Sequence, residues 1–100
     1  MKVILARLVK KEAIKSDIFK FSIHVPEIVD ITKPGQFIEI QVSDENEPFL
    51  RRPISVYNVD REKALLEFIF EVRGKGTKIL ANKQEGDSLN IIGPLGERSI

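Results

Sequence analysis

Two short stretches of the sequence carry residues that could bind an anion, and a β-hairpin would bring them together. Residues 51–56 read Arg-Arg-Pro-Ile-Ser-Val. The N–H donors of a guanidinium group have a fixed planar arrangement that can hydrogen-bond two phosphate oxygens at once. Residues 74–78 read Gly-Lys-Gly-Thr-Lys, where glycine backbone precedes a predicted short helix whose first N–H groups can face an anion. Together the two stretches favour a ligand that contains a pyrophosphate.

The residues that follow the arginines place a second requirement on that ligand. Ile54 offers an apolar surface, and Ser55 offers a hydroxyl that can donate or accept a hydrogen bond. A flavin dinucleotide meets both requirements, because it joins a pyrophosphate to a flat, largely apolar ring with polar edge atoms. The glycine stretch is not a nucleotide-triphosphate loop, because its lysine precedes the second glycine and the Gly-x-x-x-x-Gly-Lys-Thr spacing is missing.

Composition limits the classes of protein to consider. The chain has 100 residues, 42% of them hydrophobic and 31% charged, which is typical of one small globular domain. A net charge of +1 provides no overall field for nucleic acid or an anionic membrane, so an anion site must come from local clustering. Such a cluster is present at Arg51, Arg52, Arg73, Lys75 and Lys78.

The sequence offers no metal site of its own. It contains no cysteine, which excludes disulfides, thiolate metal sites and an iron–sulfur cluster held by this segment. His24, the only histidine, falls on the polar face of a predicted strand without a partner cluster, so we expect it to be an exposed strand residue. A bound organic cofactor is therefore expected to carry the chemistry.

No export signal or membrane span is visible in the sequence. The first predicted strand starts almost at Met1, and no apolar run approaches the length of about 18 residues that a membrane helix requires. We therefore expect a cytoplasmic protein that does not bind a membrane.

Alternation of apolar and polar residues with a period of two predicts an all-β protein. It is clearest in residues 65–72, where Leu66, Phe68 and Phe70 share one face. A short helix is predicted over residues 77–83 with Thr77 as its N-cap. Six strands and one helix favour a closed antiparallel barrel, which leaves no exposed sheet edge. The other predicted strands span residues 3–13, 18–25, 37–42, 54–59 and 88–92.

Proline and glycine mark the predicted ends of several elements. Pro34 and Gly35 occupy the two central positions of a predicted type II turn. Pro53 is predicted to open the fourth strand, because it cannot donate to a ladder. The run Gly93–Gly96 is predicted to stop the sixth strand.

Five motifs, taken in order, give the chain a resemblance to a known family. The chain resembles the FAD-binding domain of the ferredoxin reductase superfamily, and within it the electron transfer subunits of dihydroorotate dehydrogenase B. The resemblance covers nearly all of residues 1–100 and implies a six-stranded antiparallel Greek-key β-barrel that binds FAD. The motifs are Lys-Pro-Gly-Gln-Phe at 33–37, Leu-Arg-Arg-Pro-Ile-Ser at 50–55, Gly-Lys-Gly-Thr at 74–77, Glu-Gly-Asp at 85–87 and Gly-Pro-Leu-Gly at 93–96.

The resemblance implies roles for individual residues. Arg52 would neutralise the pyrophosphate, Ile54 would lie on the flavin ring, and Ser55 would hydrogen-bond near the ring atom that takes up hydride. Glu71 departs from the residues common in the family: its carboxylate could accept from ribose hydroxyls but would repel phosphate. No catalytic residue and no metal ligand are expected. The expected cofactor-binding residues are Arg52, Pro53, Ile54, Ser55, Ile69, Phe70, Glu71, Gly76 and Thr77.

The function that the resemblance implies is that of a flavin-dependent oxidoreductase component. Hydride would pass between a nicotinamide and the flavin, and electrons would pass singly to an iron–sulfur cluster and a partner subunit. Residues 1–100 lack the Gly-x-Gly-x-x-Gly fingerprint and the cysteines of a [2Fe–2S] cluster. The NAD-binding domain, the cluster and a catalytic dehydrogenase subunit are therefore expected outside this chain, in an oligomer that serves pyrimidine biosynthesis.

Three alternatives remain beside this interpretation. The α-subunit of NADH-dependent ferredoxin:NADP oxidoreductase and sulfide dehydrogenase have a similar domain, although residues 51–55 favour the dihydroorotate-linked group. A β-barrel without a cofactor could serve as an interaction module. An oligonucleotide-binding barrel is least favoured, because it needs exposed aromatic residues among basic ones and the phenylalanines fall mostly on predicted inner faces.

Overall fold

The computed structural model describes residues 3–42 and 50–96, and in these residues six strands close into an antiparallel barrel. Their spatial order is β1-β2-β5-β4-β3-β6, the Greek-key arrangement that the resemblance implied. The predicted fold class is therefore confirmed. The elements are β1 (Val3–Lys15), β2 (Ile18–His24), a 3₁₀ turn (Val29–Ile31), β3 (Phe37–Gln41), β4 (Arg51–Asp60), β5 (Leu65–Glu71), helix α1 (Lys75–Ala81) and β6 (Ser88–Leu95).

The alternating residues of the strands form the core. Leu66 and Phe68 of β5 are fully buried and Phe70 is 5% exposed, as the alternation predicted. The Phe21 ring of β2 contacts both aromatic rings, with centroid distances of 5.6 Å to Phe68 and 5.0 Å to Phe70. Burying each large apolar side chain contributes on the order of 1.5–3 kcal/mol before conformational entropy is counted.

Two local predictions are confirmed, the type II turn at Pro34 and Gly35 and the exposure of His24. Gly35 has a φ of 95°, and the Gln36 N–H donates to the Lys33 carbonyl at 3.1 Å, as a type II turn with glycine in its third position requires. His24 is exposed. In the part of the chain that the structure describes, no helix is long and apolar enough to cross a membrane.

Strand β4 begins earlier than predicted. Arg51 and Arg52 pair with Gln41 and Ile40 of β3, so both arginines lie inside the strand and Pro53 is its third residue. Strand β6 likewise continues through the cis Gly93–Pro94 bond to Leu95. Both predictions were wrong. Proline interrupts a ladder only on the side toward which its nitrogen faces, which applies to Pro53. In β6, the pairing with β3 shifts register between Ile92 and Leu95, so Gly93 and Pro94 lie in an irregularity of the ladder.

Helix α1 begins two residues before the predicted start, and Thr77 is not its N-cap. Gly74 is the N-cap residue and Thr77 is the third residue of the helix. Thr77 Oγ1 accepts hydrogen bonds from the backbone N–H of Arg73 at 2.8 Å and of Gly74 at 3.1 Å. The hydroxyl therefore fastens the turn that leads into the helix. The sequence could not reveal this, because residues 74–77 contain no large apolar side chain to set the helical phase.

A polar network joins β2, β4 and β5 on the outer face of the barrel. The Glu67 carboxylate accepts hydrogen bonds from the Ser22 hydroxyl and the Asn58 amide, each at 3.0 Å, and lies 3.5 Å from the Lys20 ammonium. Burial raises the pKa of Glu67, but the hydrogen bonds from Asn58 and Ser22 together with the Lys20 charge outweigh it, so the pKa is lowered overall. The network stabilises the paired part of β4 and β5.

Candidate functional site

Strands β4 and β5 pair along only part of their length. Within the described residues, their ladder runs from Asp60 opposite Leu65 to Val56 opposite Phe68. Each strand continues past this point, where β4 still pairs with β3 and β5 still pairs with β2. Beyond the ladder, the backbone groups of the two facing strand ends do not pair with each other, so a ligand can form hydrogen bonds with them.

The alternation of hydrogen bonds shows which residues of β4 face β5. The Val56 N–H donates to the Gln36 carbonyl at 2.7 Å, so even-numbered residues of this strand direct their backbone groups to β3. Pro53 and Ser55 consequently direct theirs to β5. Pro53 therefore stands where its missing N–H removes no bond to β3, which explains a proline inside this strand.

The same argument applies to β5. The Val72 N–H donates to the Asp17 carbonyl at 2.8 Å, so even-numbered residues direct their backbone groups to β2. Ile69 and Glu71 direct theirs to β4, and the Ile69 side chain is 36% exposed. Phe70 differs from Ile69 and Glu71 in both respects: its side chain lies in the core, and its backbone groups face β2.

A pocket of about 320 Å³ brings together the two stretches that were predicted to bind an anion. Its described lining consists of Arg52, Glu71, Arg73 and residues 74–77. Arg52 lies near the start of β4, whereas the glycine stretch forms the turn into α1 and the first residues of that helix. The tertiary structure therefore unites in one place two stretches that are well separated in the sequence.

Gly76 permits the close approach of α1 to the barrel. A Cβ atom on Gly76 would lie 2.9 Å from Val42 Cγ2 and 3.6 Å from Arg52 Nε, and Val42 is fully buried. A Cβ atom on Gly74 would have no heavy atom within 4 Å. Only the second glycine of the motif is thus required by packing, and it keeps the Arg52 side chain beside the first turn of the helix.

The charges of the pocket favour an anion. Arg73 Nε donates to Glu71 Oε1 at 2.6 Å, so the carboxylate that would repel a phosphate is paired with a cation. Among the described residues, the Arg52 side chain has no hydrogen-bonding or ion-pairing partner, so none of them competes with a ligand for its guanidinium.

Comparison with protein families identifies the chain. Residues 5–100 match the family described as the oxidoreductase FAD-binding domain. The chain belongs to this family.

The curated relatives of this FAD-binding domain are longer than the chain. The electron transfer subunit of dihydroorotate dehydrogenase B (NAD(+)) from Lysinibacillus sphaericus is 42% identical over 90 residues, which cover 90% of this chain and 35% of the relative. The subunit of the same name from Desulforamulus reducens is 46% identical over 71 residues, covering 71% of this chain and 27% of the relative. The chain therefore spans about a third of the length of these relatives.

Solved structures share the barrel. The structure of the NADH-dependent reduced ferredoxin-NADP oxidoreductase, described in connection with flavin-based electron bifurcation, aligns with a TM-score of 0.85 and 36% identity. The alignment covers 97% of this chain and 34% of that chain. A siderophore-interacting protein from Acinetobacter baumannii aligns with a TM-score of 0.80, covering 96% of this chain and 42% of that chain. Its identity of 19% shows a common fold alone.

The residues predicted to bind the cofactor fall into three groups in this FAD-binding domain. Those lining the pocket are Arg52, Glu71, Gly76 and Thr77. Those facing the end of the β4–β5 ladder with their backbone are Pro53, Ser55 and Ile69. Ile54 and Phe70 lie in the core with 9% and 5% of their surface exposed, so the contact between Ile54 and a ring stays a prediction.

The pocket lining includes three residues that were not among the predicted cofactor-binding residues, namely Arg73, Gly74 and Lys75. Arg73 and Lys75 line the pocket, and their signal was membership of the basic cluster around residues 73–78. Arg51 belongs to the same cluster but points elsewhere, since its Nη2 donates to Asn90 Oδ1 at 2.6 Å and joins β4 to β6. Among the described residues, no group of three His, Cys, Asp or Glu side chains could hold a metal ion.

Proposed function

We propose that this domain holds the diphosphate of FAD in the pocket between Arg52 and residues 74–77. The meeting of these two stretches in one pocket, beside the end of the β4–β5 ladder, is the observation that carries the proposal. A guanidinium suits a diphosphate because its donors match two phosphate oxygens at once. The first N–H groups of the helix, which lack acceptors within the helix, suit the same anion.

The strand ends fit the remaining parts of the cofactor. Ser55 and Ile69 direct backbone groups into the space between the strands, where hydroxyl groups of a ribityl chain could bond with them. The Glu71 carboxylate, already paired with Arg73, could accept from a ribose hydroxyl. Pro53 and Ser55 are exposed, so a flat ring along β4 would meet an apolar surface followed by a hydroxyl.

The redox chemistry would come from the cofactor, which when bound exchanges two electrons with a nicotinamide as hydride and exchanges electrons singly with an iron–sulfur cluster. The residues of this chain would bind the cofactor and orient it. Arg52 would offset the charge of the diphosphate, and the Ser55 hydroxyl would donate or accept a hydrogen bond at the ring edge. No acid, base or nucleophile from this domain is required for these tasks.

A binding titration of FAD with an arginine variant tests this proposal. The domain freed of flavin should bind FAD, and Arg52→Gln should weaken binding by about 10- to 100-fold, since hydrogen bonds to a charged group are worth roughly 1.5–3 kcal/mol. Arg7→Gln is the matched control, because Arg7 is an exposed arginine of β1 outside the pocket lining. Failure of the unaltered domain to bind FAD would reject the proposal, and equal affinities of the two variants would reject the site.

We also propose the larger protein to which this domain contributes. The identities of 42% and 46% support the electron transfer subunit of dihydroorotate dehydrogenase B, in the cytoplasm and in complex with a catalytic subunit. Oxidation of dihydroorotate there would yield two electrons and two protons. Both electrons and one proton would convert NAD⁺ to NADH, and the second proton would be released. The NAD-binding domain and the [2Fe–2S] cluster would lie outside residues 1–100.

A second candidate is a subunit of an NADH-dependent ferredoxin-NADP oxidoreductase, which the TM-score of 0.85 at 36% identity supports. The complex purified from its natural host through this domain distinguishes the two. Reduction of NAD⁺ by dihydroorotate supports the first candidate. Reduction of NADP⁺ that requires reduced ferredoxin supports the second, and neither activity would reject both.

A further inference from the structure

Helix α1 is held at its C-terminal end by a lysine of β1. Lys11 Nζ donates to the carbonyl of Ala81 at 2.7 Å and to the carbonyl of Lys83 at 2.9 Å. Ala81 is the last residue of α1 and Lys83 lies just beyond it, so neither carbonyl accepts a hydrogen bond from an N–H group of the helix. The ammonium supplies the missing donor. Its positive charge also complements the negative end of the helix dipole.

The strand around Lys11 holds the turn after the helix as well. The Lys11 N–H donates to Glu85 Oε2 at 3.0 Å. The Leu8 N–H donates to the Asp87 carbonyl and the Gly86 N–H donates to the Leu8 carbonyl, both at 2.8 Å. The C-terminal side of α1 is therefore joined to the barrel by backbone and side-chain bonds from one segment of β1.

The Lys11 side chain is itself held in place. Its ammonium lies 5.4 Å from the centroid of the Phe19 ring, within the range of a cation–π interaction. Phe19 stacks on Phe70 of β5 with a centroid distance of 5.9 Å. The charge is thus fixed against the aromatic part of the core, unlike that of an exposed surface lysine.

The other end of the same helix carries a wall of the pocket. Residues 75–77 line the pocket beside Arg52, and α1 has only seven residues. A shift at its C-terminal end would therefore tilt or slide its first turn relative to Arg52. Leu80, the next-to-last residue of α1, has 1% of its surface exposed and anchors this end of the helix in the core, next to the carbonyls that Lys11 binds.

We propose that Lys11 is a positioning residue for the diphosphate pocket. By holding the last carbonyls of α1, it sets the distance between Arg52 and the glycine turn without touching the ligand. This inference depends on the proposed function, because it assumes that a diphosphate binds in that pocket.

Titration with FAD, and with ADP as a diphosphate that lacks the flavin, tests the inference. Lys11→Met keeps the apolar stem but removes the charge, and should weaken the binding of both ligands by about 3- to 10-fold, the range that a charge at a helix end supplies. Lys11→Arg, which keeps the charge and donors, should restore most of the affinity. Lys15→Met is the control, because Lys15 is an exposed lysine at the end of the same strand.

The melting temperature of each variant separates positioning from folding. If Lys11 only stabilised the fold, its replacement would lower the melting temperature and leave the ADP affinity of the folded protein unchanged. That result would overturn the inference. Should Lys11→Met fail to fold, Lys11→Gln takes its place with the same expected loss of affinity. Absence of FAD binding by the unaltered domain would instead reject the proposed function.

Discussion

At the scale of the residue, Gly76 and Gly74 belong to one motif but have different tasks. The Cβ atom that any other residue would add to Gly76 would lie 2.9 Å from a buried methyl group of Val42. Since a close-packed core cannot give way there, the helix would have to move away from the barrel and from Arg52. Gly74 has open space and an extended backbone, with φ −161° and ψ −170°, that any residue can adopt.

We therefore expect Gly76→Ala to lower the free energy of unfolding by about 1–3 kcal/mol, as overpacking does, and to weaken FAD binding. Gly74→Ala should change the unfolding free energy by less than about 0.5 kcal/mol. Chemical denaturation and FAD titration of both variants measure the difference. Equal destabilisation by the two alanines would contradict the packing argument.

At the scale of the element, β4 and β5 form a hairpin that is fastened at one end and open at the other. The Glu67 carboxylate, bonded to Ser22 and Asn58, lies in the paired part of the hairpin. The facing strand ends beyond Val56 and Phe68 lack this ladder. The paired part can therefore hold the open part in position while leaving its backbone groups to a ligand.

Glu67 gives this hairpin a predictable dependence on pH. Its pKa in the folded protein lies below the ordinary value of 4.5, so its contribution to stability is present above that value and is lost as the pH falls through the folded pKa. Glu67→Gln should lower the free energy of unfolding by about 1 kcal/mol at pH 7 and by progressively less toward pH 3.

Denaturation curves at several pH values measure this effect. Glu62→Gln, in the exposed turn between β4 and β5, is the control and should leave the free energy of unfolding unchanged across the same range. A loss for Glu67→Gln that did not shrink in acid would show that the carboxylate charge is not the cause.

At the scale of the whole molecule, the proposed site lies where two neighbouring strands of the barrel stop pairing with each other. The described ladder between β4 and β5 ends at Val56, and α1 meets the barrel through Gly76 at one end and Lys11 at the other. A dinucleotide bound there would connect β4, β5 and α1. A ligand that binds only the folded state stabilises that state by mass action.

FAD should consequently raise the melting temperature of the domain. At a concentration of about 100 times the dissociation constant, the expected gain is roughly 2.7 kcal/mol. For a chain of 100 residues, this gain corresponds to an increase of about 10 °C or more. Thermal unfolding with and without FAD measures the increase, and Arg52→Gln should reduce it at the same FAD concentration. An increase that is identical in both proteins would place the cofactor elsewhere.

The sequence by itself determined the barrel and both halves of the proposed site. The alternation that buries Leu66 and Phe68 is a property of adjacent residues, so it can be read without knowing what lies nearby. The arginine stretch and the glycine stretch could be identified for the same reason, because the chemistry of a side chain and the freedom of glycine are local.

Only the tertiary structure decided how these parts are used. Arg51 and Arg52 are adjacent, yet Arg51 donates to Asn90 of β6 whereas Arg52 lines the pocket. The two side chains differ because successive side chains of a strand point to opposite faces of the sheet. The hold of Lys11 on α1 depends on segments that are far apart in the sequence. No local pattern encodes such a contact, since strand order and packing, not the neighbouring residues, decide which distant groups meet.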